Sequence, residues 1–275
     1  SMRPCESVED AARRAFGERL DGYGLIDKGR TVSSECERYA VDVIGLEDEA
    51  YPSSLKVIRD APPVLYLNGK LSALSPRSVA VVGTRNASPD GRRNALHISR
   101  FLVGQGYTVV SGLARGIDTA AHLGAVEGGG ATVAVLAHGL HTITPSANQE
   151  LAKRVISKGG ALLAEHPPGF PPLPQEFVRR NRIQSGLCLA SIVVESGVDG
   201  GAMHHARFAR EQGRGLLTVL SRSGESPSAL DESGERILVE KMGAIAIHSV
   251  GELSRVLENI KPPSCPDSAD TLRLF

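Results

Sequence analysis

The stretch VVSGLARGIDTAAH (109–122) holds the residues best spaced for chemistry: Ser111, Gly112, Arg115, Gly116, Asp118 and His122. An apolar run ends at Val110, a turn of small residues follows, and a helix is expected from Gly116. Asp118 and His122 stand four residues apart, on one face of that helix. A carboxylate beside an imidazole can serve as an acid/base pair. The same two groups can instead share a buried hydrogen bond that pins the helix start, where the helix dipole favours an acidic residue. The second, structural reading is the plainer one. Arg115, projecting from the turn, has the forked geometry that suits phosphate. There is no G-x-S-x-G elbow, and no Ser or Cys has an evident base beside it, so nucleophilic catalysis is not indicated.

Four further turns carry residues of interest. VVGTRNASPDG (81–91) ends an apolar run at Gly83 and offers Thr84, Arg85 and Ser88 ahead of a helix whose free N–H groups suit an anion. It lacks the full G-x-G-x-x-G pattern, so both a phosphate site and a plain strand-to-helix turn stay open. AHGLHTITPSANQEL (137–151) contains His138 and His141 without a nearby carboxylate or Cys, a poor metal site, and places Asn148 to cap the next helix. In AEHPPGFPPLPQEFVRRNRIQSG (164–186), Glu165 ends a strand, and Arg179, Arg180 and Arg182 crowd around Asn181. Three arginines with no intervening acid favour a polyanion over a solvated helix face. In VVESGVDGGAMHHARFAREQGR (193–214), Glu195 ends a strand, and Gly200 and Gly201 precede another helix N-terminus. His204 and His205 are adjacent and so face different ways.

Such turns need a scaffold that gathers them on one edge. Apolar runs at 78–83, 107–112, 131–139, 160–166, 190–196, 215–221 and 243–249 read as strands. Helices are expected over about 91–104, 116–127, 148–158, 174–187 and 201–212, with a last one to about 259. Short continuous apolar runs alternating with amphipathic segments mean βαβ units and strands covered on both faces. The expected fold is α/β: an extended, Rossmann-like, doubly wound and mostly parallel sheet. Ligands on such sheets bind outside the carboxyl ends of the strands, where all five turns lie. Residues 1–50 read as an N-terminal extension with a helix over 7–20 and a short strand over 41–46. Residues 51–71 read as a proline-bearing connector, 51–260 as the Rossmann-like domain including it, and 261–275 as a flexible tail. No winged helix is expected at the C-terminus.

Bulk composition narrows the function. With 31 basic and 31 acidic residues the formal charge is zero, so any nucleic-acid contact must come from local arginines. Aromatics are only 4% and Trp is absent, which argues against serial base stacking. The four cysteines match neither a zinc pattern nor a disulfide framework, which suits a reducing cytoplasm. Ser1-Met2 reads as a remnant ahead of a native Met. No signal peptide and no run near a membrane span is expected.

The blocks GTRNAS, SGLARGIDTAAH, GATVAVLAHGL, PSANQEL, FVRRNRIQSGL and IVVES occur in an order and spacing that resembles the DNA-processing protein A (DprA/Smf) family, over roughly 45–250. The resemblance implies a single-stranded DNA-binding protein that forms homodimers, loads the RecA recombinase during DNA uptake, and carries no catalytic residues, cofactor or metal. By that resemblance Arg85 contacts DNA phosphate. Gly83, Thr84, Ser111, Gly112, Arg115 and Gly116 line the same pocket, and Arg179, Arg180 and Arg182 extend or support it. Gly200 and Gly201 join the binding set, with Ser88. Asp118, His122, Asn148, Glu165, Asn181 and Glu195 are expected to support it. The chain departs from the family at DGGAMHHA (199–206), where histidines replace the usual Thr region, and at SRSG (221–224). Two other readings compete. One is a nucleotide-sensing or partner-regulating paralogue with a toxin or effector partner, as in phage defence. The other is a phosphoribohydrolase-like enzyme, whose P-G-G-x-G-T-x-x-E motif is absent here.

Overall fold

The computed structural model describes residues 25–220 and 232–260. The expected helix over 7–20, the SRSG segment and the tail lie outside the described residues.

The five central apolar runs become strands because they are buried at every position, which only a sheet covered on both faces provides. In chain order the strands are β1 (Asp42–Gly45), β2 (Val64–Gly69), β3 (Ser78–Val82), β4 (Thr108–Ser111), β5 (Thr132–Leu136), β6 (Ala161–Ala164), β7 (Ala190–Val193), β8 (Gly215–Val219) and β9 (Ile245–Ile247). They form one sheet in the order β1-β2-β6-β5-β4-β3-β7-β8-β9. From β6 to β9 every neighbouring pair is parallel, while β1 and β2 add an antiparallel edge. The strands β3 to β9 each fall inside the stretch expected for them, in the α/β arrangement anticipated.

The helices are α1 (Leu25–Arg38), α2 (Ser53–Lys56), α3 (Pro89–Gly104), α4 (Ile117–Glu127), α5 (Gln149–Ser157), α6 (Pro174–Arg179), α7 (Asn181–Leu187), α8 (Gly201–Glu211), α9 (Ser233–Met242) and α10 (Val250–Asn259). Alternate strand residues serve opposite faces. Ala80, Val82, Val110 and Val133 pack with Leu55 of α2, Ile183 of α7, Ala206 of α8 and Leu238 of α9. Val79, Val81 and Val109 pack with Ile98 of α3, Ala121 of α4 and Leu253 of α10.

Four features depart from the sequence reading. The connector contains β2, which follows Pro62 and Pro63 and pairs with both β1 and β6. Helices α1, α2 and α9 were not anticipated. The helix expected over 174–187 divides at Arg180, whose own backbone stays right-handed helical. Because β1 pairs with β2, the expected boundary at 50/51 falls in a loop between strands of one sheet.

The strand order places a switch point between β3 and β7. From β3 the chain winds outward through β4, β5 and β6, then returns to the other side of β3 as β7. The carboxyl ends of those two strands open a crevice, and the turns of interest meet there.

Candidate nucleic-acid interface

A cleft of about 390 Å³ opens at the switch point. Gly83, Thr84 and Arg85 line it from the turn after β3, Ala114 from the turn after β4, and Asp118 from the first turn of α4. Phe177, Arg180, Asn181 and Gln184 face it from α6 and α7, and Gly201, Ala202 and His205 from α8.

The turn after β3 is held from behind. Thr84 N–H donates to the Glu195 carbonyl at 2.7 Å, and Ser88 donates to the Glu195 carboxylate from its backbone N–H at 2.9 Å and its hydroxyl at 3.1 Å. Ser88 Oγ also accepts from Gly91 N–H at 2.9 Å, so it caps α3. Ser88 is thus engaged within the fold, a correction to its reading as a phosphate ligand, and Glu195 holds the turn through both its carbonyl and its carboxylate. The backbone approach is close: a Cβ on Gly83 would lie 2.5 Å from Ile117 Cγ1. What the turn presents outward is Arg85, exposed, with its guanidinium carbon 5.1 Å from the centre of the Phe177 ring. Phe177 escaped the sequence reading. Its signal was a lone aromatic beside the arginine cluster.

The turn after β4 needs unusual backbone. Leu113 has φ +57°, and Gly116 has φ +77°. A Cβ on Gly116 would come within 2.3 Å of the Thr84 carbonyl oxygen, so the two turns interlock. Ile117 N–H donates to the same carbonyl at 3.2 Å. Gly116→Ala combines a strained dihedral with this clash and is expected to cost about 2–4 kcal/mol. Urea denaturation checks this; a change below about 0.5 kcal/mol would refute the interlock.

Asp118 and His122 do not bond each other, a correction to the pairing expected from their spacing. Asp118 accepts from Gly112 N–H at 3.1 Å and Ala114 N–H at 3.4 Å and so closes the turn. His122 turns to the sheet, with Nδ1 2.8 Å from Thr132 Oγ1. Burial pushes the Asp118 carboxyl up, opposed by the Arg180 charge and the two N–H donors. Burial drives His122 down to about 3, with the Arg180 charge adding to it. Asn148 does not cap α5 through its side chain. Its Nδ2 donates instead to the Leu113 carbonyl at 2.8 Å and to Thr119 Oγ1 at 2.9 Å, bracing the strained turn. Ser111 Oγ donates to the Val81 carbonyl at 2.7 Å, and Ser111 and Gly112 lie buried beneath the cleft rather than lining it. Arg115 is exposed and faces a neighbouring concavity with Arg92 and Arg93.

The arginine cluster divides by role. Arg182 is buried between Glu165 and Asp60, the latter at 2.8 Å, and both of these ion pairs lie within the fold. That corrects its reading as a phosphate ligand. Arg179 is half exposed and leans on Glu165 at 3.3 Å. Arg180 is buried under the cleft, where Nη1 donates to the Gly112 carbonyl at 2.9 Å and to the Val135 carbonyl. Burial lowers Arg180 to about 10; the Asp118 charge opposes this, and the like charge of Arg85 adds to it. The intervening acids that the local sequence lacked come from distant segments. On the far wall, Gly200 caps α8 against Ser196, and Gly201 has open space around it. Among the described residues, no three His, Cys, Asp or Glu are arranged to hold a metal. No described helix is long and apolar enough to cross a membrane.

Two cationic arginines, glycine turns and helix starts thus converge on a switch-point cleft. Comparison with known proteins supplies the kinship. Residues 42–258 match the profile of the family described as DNA recombination-mediator protein A. The chain belongs to this family. It is 40% identical over 219 residues to Protein Smf of Escherichia coli, covering 80% of this chain but 56% of that protein. It is also 40% identical over 200 residues to the DNA processing protein DprA of Streptococcus pneumoniae, covering 73% of this chain and 69% of that one. The chain therefore spans little more than half the length of the E. coli relative. The X-ray structure of S. pneumoniae DprA superposes with TM-score 0.73 at 30% identity, covering 92% of this chain and 87% of that one. The DNA processing protein A of Helicobacter pylori, whose structure was described for its single-stranded DNA binding mode, gives TM-score 0.68 at 27% identity, covering 80% and 97%.

Proposed function

We propose that the switch-point cleft of this family member binds the phosphates of single-stranded DNA, and that the chain works as a binding protein rather than a catalyst. One observation carries the reading. Arg85 and Arg180 both line a small cleft, and Asp118 is the one acid among the described lining residues. Such a site is completed by an anion. The H. pylori relative's single-stranded DNA binding supports the choice of anion. Phe177, lying against Arg85, offers one face for a base. A Ser–His contact does lie at the cleft, Ser191 Oγ to His205 Nε2 at 2.9 Å, but Ser191 is shut inside the fold and offers no accessible nucleophile. Loading of the RecA recombinase, self-association as a homodimer and work in the cytoplasm belong to this proposal as the family resemblance implies them.

The test is fluorescence anisotropy with a labelled oligothymidine at several salt concentrations, for the parent chain and Arg85→Ala. Arg85→Ala is expected to weaken binding about 10- to 100-fold, as loss of a charge-assisted contact does. It should also reduce the salt slope by about 0.7, the share of one single-strand phosphate. Binding indifferent to salt, or unchanged in Arg85→Ala, overturns the proposal.

A further inference from the structure

Away from the switch-point cleft, α3 and α4 share a groove of about 670 Å³. The two helices lie side by side with their backbones touching, since a Cβ on Gly124 would come 2.2 Å from the Leu96 carbonyl oxygen. The groove lies over that seam, and the turn Ser146–Asn148 ahead of α5 forms its third side. Its floor is aliphatic: Leu96 and Leu123 are half-buried there, beside the methyl groups of Ala120 and Ala147. The polar side chains of the floor are turned inward. Thr119 Oγ1 donates to the Ala114 carbonyl at 2.7 Å and accepts from Asn148 Nδ2 at 2.9 Å, and Asn148 Nδ2 also donates to the Leu113 carbonyl. The rim is cationic. Arg92, Arg93 and Arg115 are exposed around it, with His97 beside them. Asp90 stands 2.7 Å from Arg93 and offsets one of these charges. Among the described residues no Asp or Glu lines the groove, and Arg115 pairs with no acid.

We propose that this groove docks a short acidic segment of a partner protein, one that sets bulky apolar side chains between carboxylates. Charge complementarity carries the choice. The segment's carboxylates face Arg92 and Arg115, and its apolar side chains cover Leu96 and Leu123. Covering half-exposed leucines in a concavity supplies the affinity, and the arginines fix which segment enters. A nucleic-acid strand suits the rim but not the floor. The floor has no Phe, Tyr or Trp on which a base could stack, and its hydroxyl and amide are already engaged, so no edge is read there. The groove is also separate from the cleft: Gly116 borders the groove, while Ala114, two residues earlier in the same turn, borders the cleft. The proposal therefore does not depend on what the cleft binds.

The experiment uses the whole chain and a panel of labelled synthetic peptides in which aspartates alternate with leucine or phenylalanine at several spacings. Binding is read by fluorescence anisotropy. At least one peptide is expected to bind, and its affinity should fall about tenfold in Leu123→Gln, which removes apolar surface from the floor. Arg115→Glu, a change at an exposed position, should weaken it at least as far by reversing a rim charge. Replacing the aspartates by asparagine, or the apolar residues by serine, should each weaken the peptide to a similar degree. Leu123→Gln should keep the parent's circular dichroism spectrum and its affinity for labelled oligothymidine. Three results overturn the proposal. One is that no peptide of the panel binds at low salt. Another is that the serine-substituted peptide binds as well as the original, which would make the rim a general anion attractor. The last is that oligothymidine displaces the peptide and itself binds more weakly to Leu123→Gln, which would give the groove to a nucleic-acid strand.

Discussion

Replacing Arg180 by Met is expected to lower stability by about 3–5 kcal/mol, the usual result of removing one side of a buried charged arrangement. The guanidinium is buried and donates to two carbonyls, Gly112 at the end of β4 and Val135 within β5. Without it both carbonyls lose a donor, and the buried Asp118 carboxylate loses the cation that holds its charge in place. Urea denaturation measures the loss. Arg180→Met combined with Asp118→Asn should lose less than the two single changes added together, because the two groups share one electrostatic balance. A loss under about 1 kcal/mol, or strict additivity in the double variant, would show that Arg180 is merely a cleft side chain. Oligonucleotide affinity should fall at least as far as in Arg85→Ala, since the floor and one cation go together.

Acid should unfold this protein well above the ordinary carboxylate range. His122 and His205 are both held down to about 3 by burial, whereas an unfolded histidine titrates near 6.5. Their depressed values mean that the unfolded chain binds protons the folded chain refuses. The stability they contribute is complete above about pH 6.5 and is lost as pH falls toward 3. With both groups active the slope reaches about 2.7 kcal/mol per pH unit, or on the order of 5 kcal/mol between pH 6.5 and 4.5. Asp118 works in the opposite sense. Its carboxyl is raised, so its contribution is present at low pH and is lost as pH rises through its folded value, which offsets part of the fall. His122→Gln and His205→Thr should each flatten the profile by about half. Melting temperatures equal at pH 7 and pH 4.5 would contradict the assignment.

The parallel sheet was legible because strands buried on both faces leave unbroken apolar runs such as SVAVV and TVAVL, whatever their neighbours. Strand β2 was not, because Pro62 and Pro63 directly before VLYLNG made the whole connector read as turn. A proline ahead of a strand's first residue removes no ladder hydrogen bond, and β2 forms despite it. In the site, the glycine turns and Arg85 could be read from residue type and position. Burial of the arginines could not. Arg182 finds Glu165 and Asp60, and Arg180 finds the carbonyls of Gly112, just after β4, and Val135, in β5, across distances in sequence that no local spacing reveals. Asn148 shows the same limit: its place before α5 suggests a cap, but the fold offers its amide a better use at the Leu113 carbonyl.

The strand order also fixes when the cleft can exist during synthesis. Its two walls rise from β3 and β7, and Val79 pairs with Ala190, so the second wall leaves the ribosome more than a hundred residues after the first. At about 5–20 residues per second, the glycine turn after β3 waits several seconds for Glu195, the group that anchors Thr84 and Ser88. The nascent chain thus carries its arginines long before it has a pocket, and competence to grip a strand arrives only with the later half of the domain.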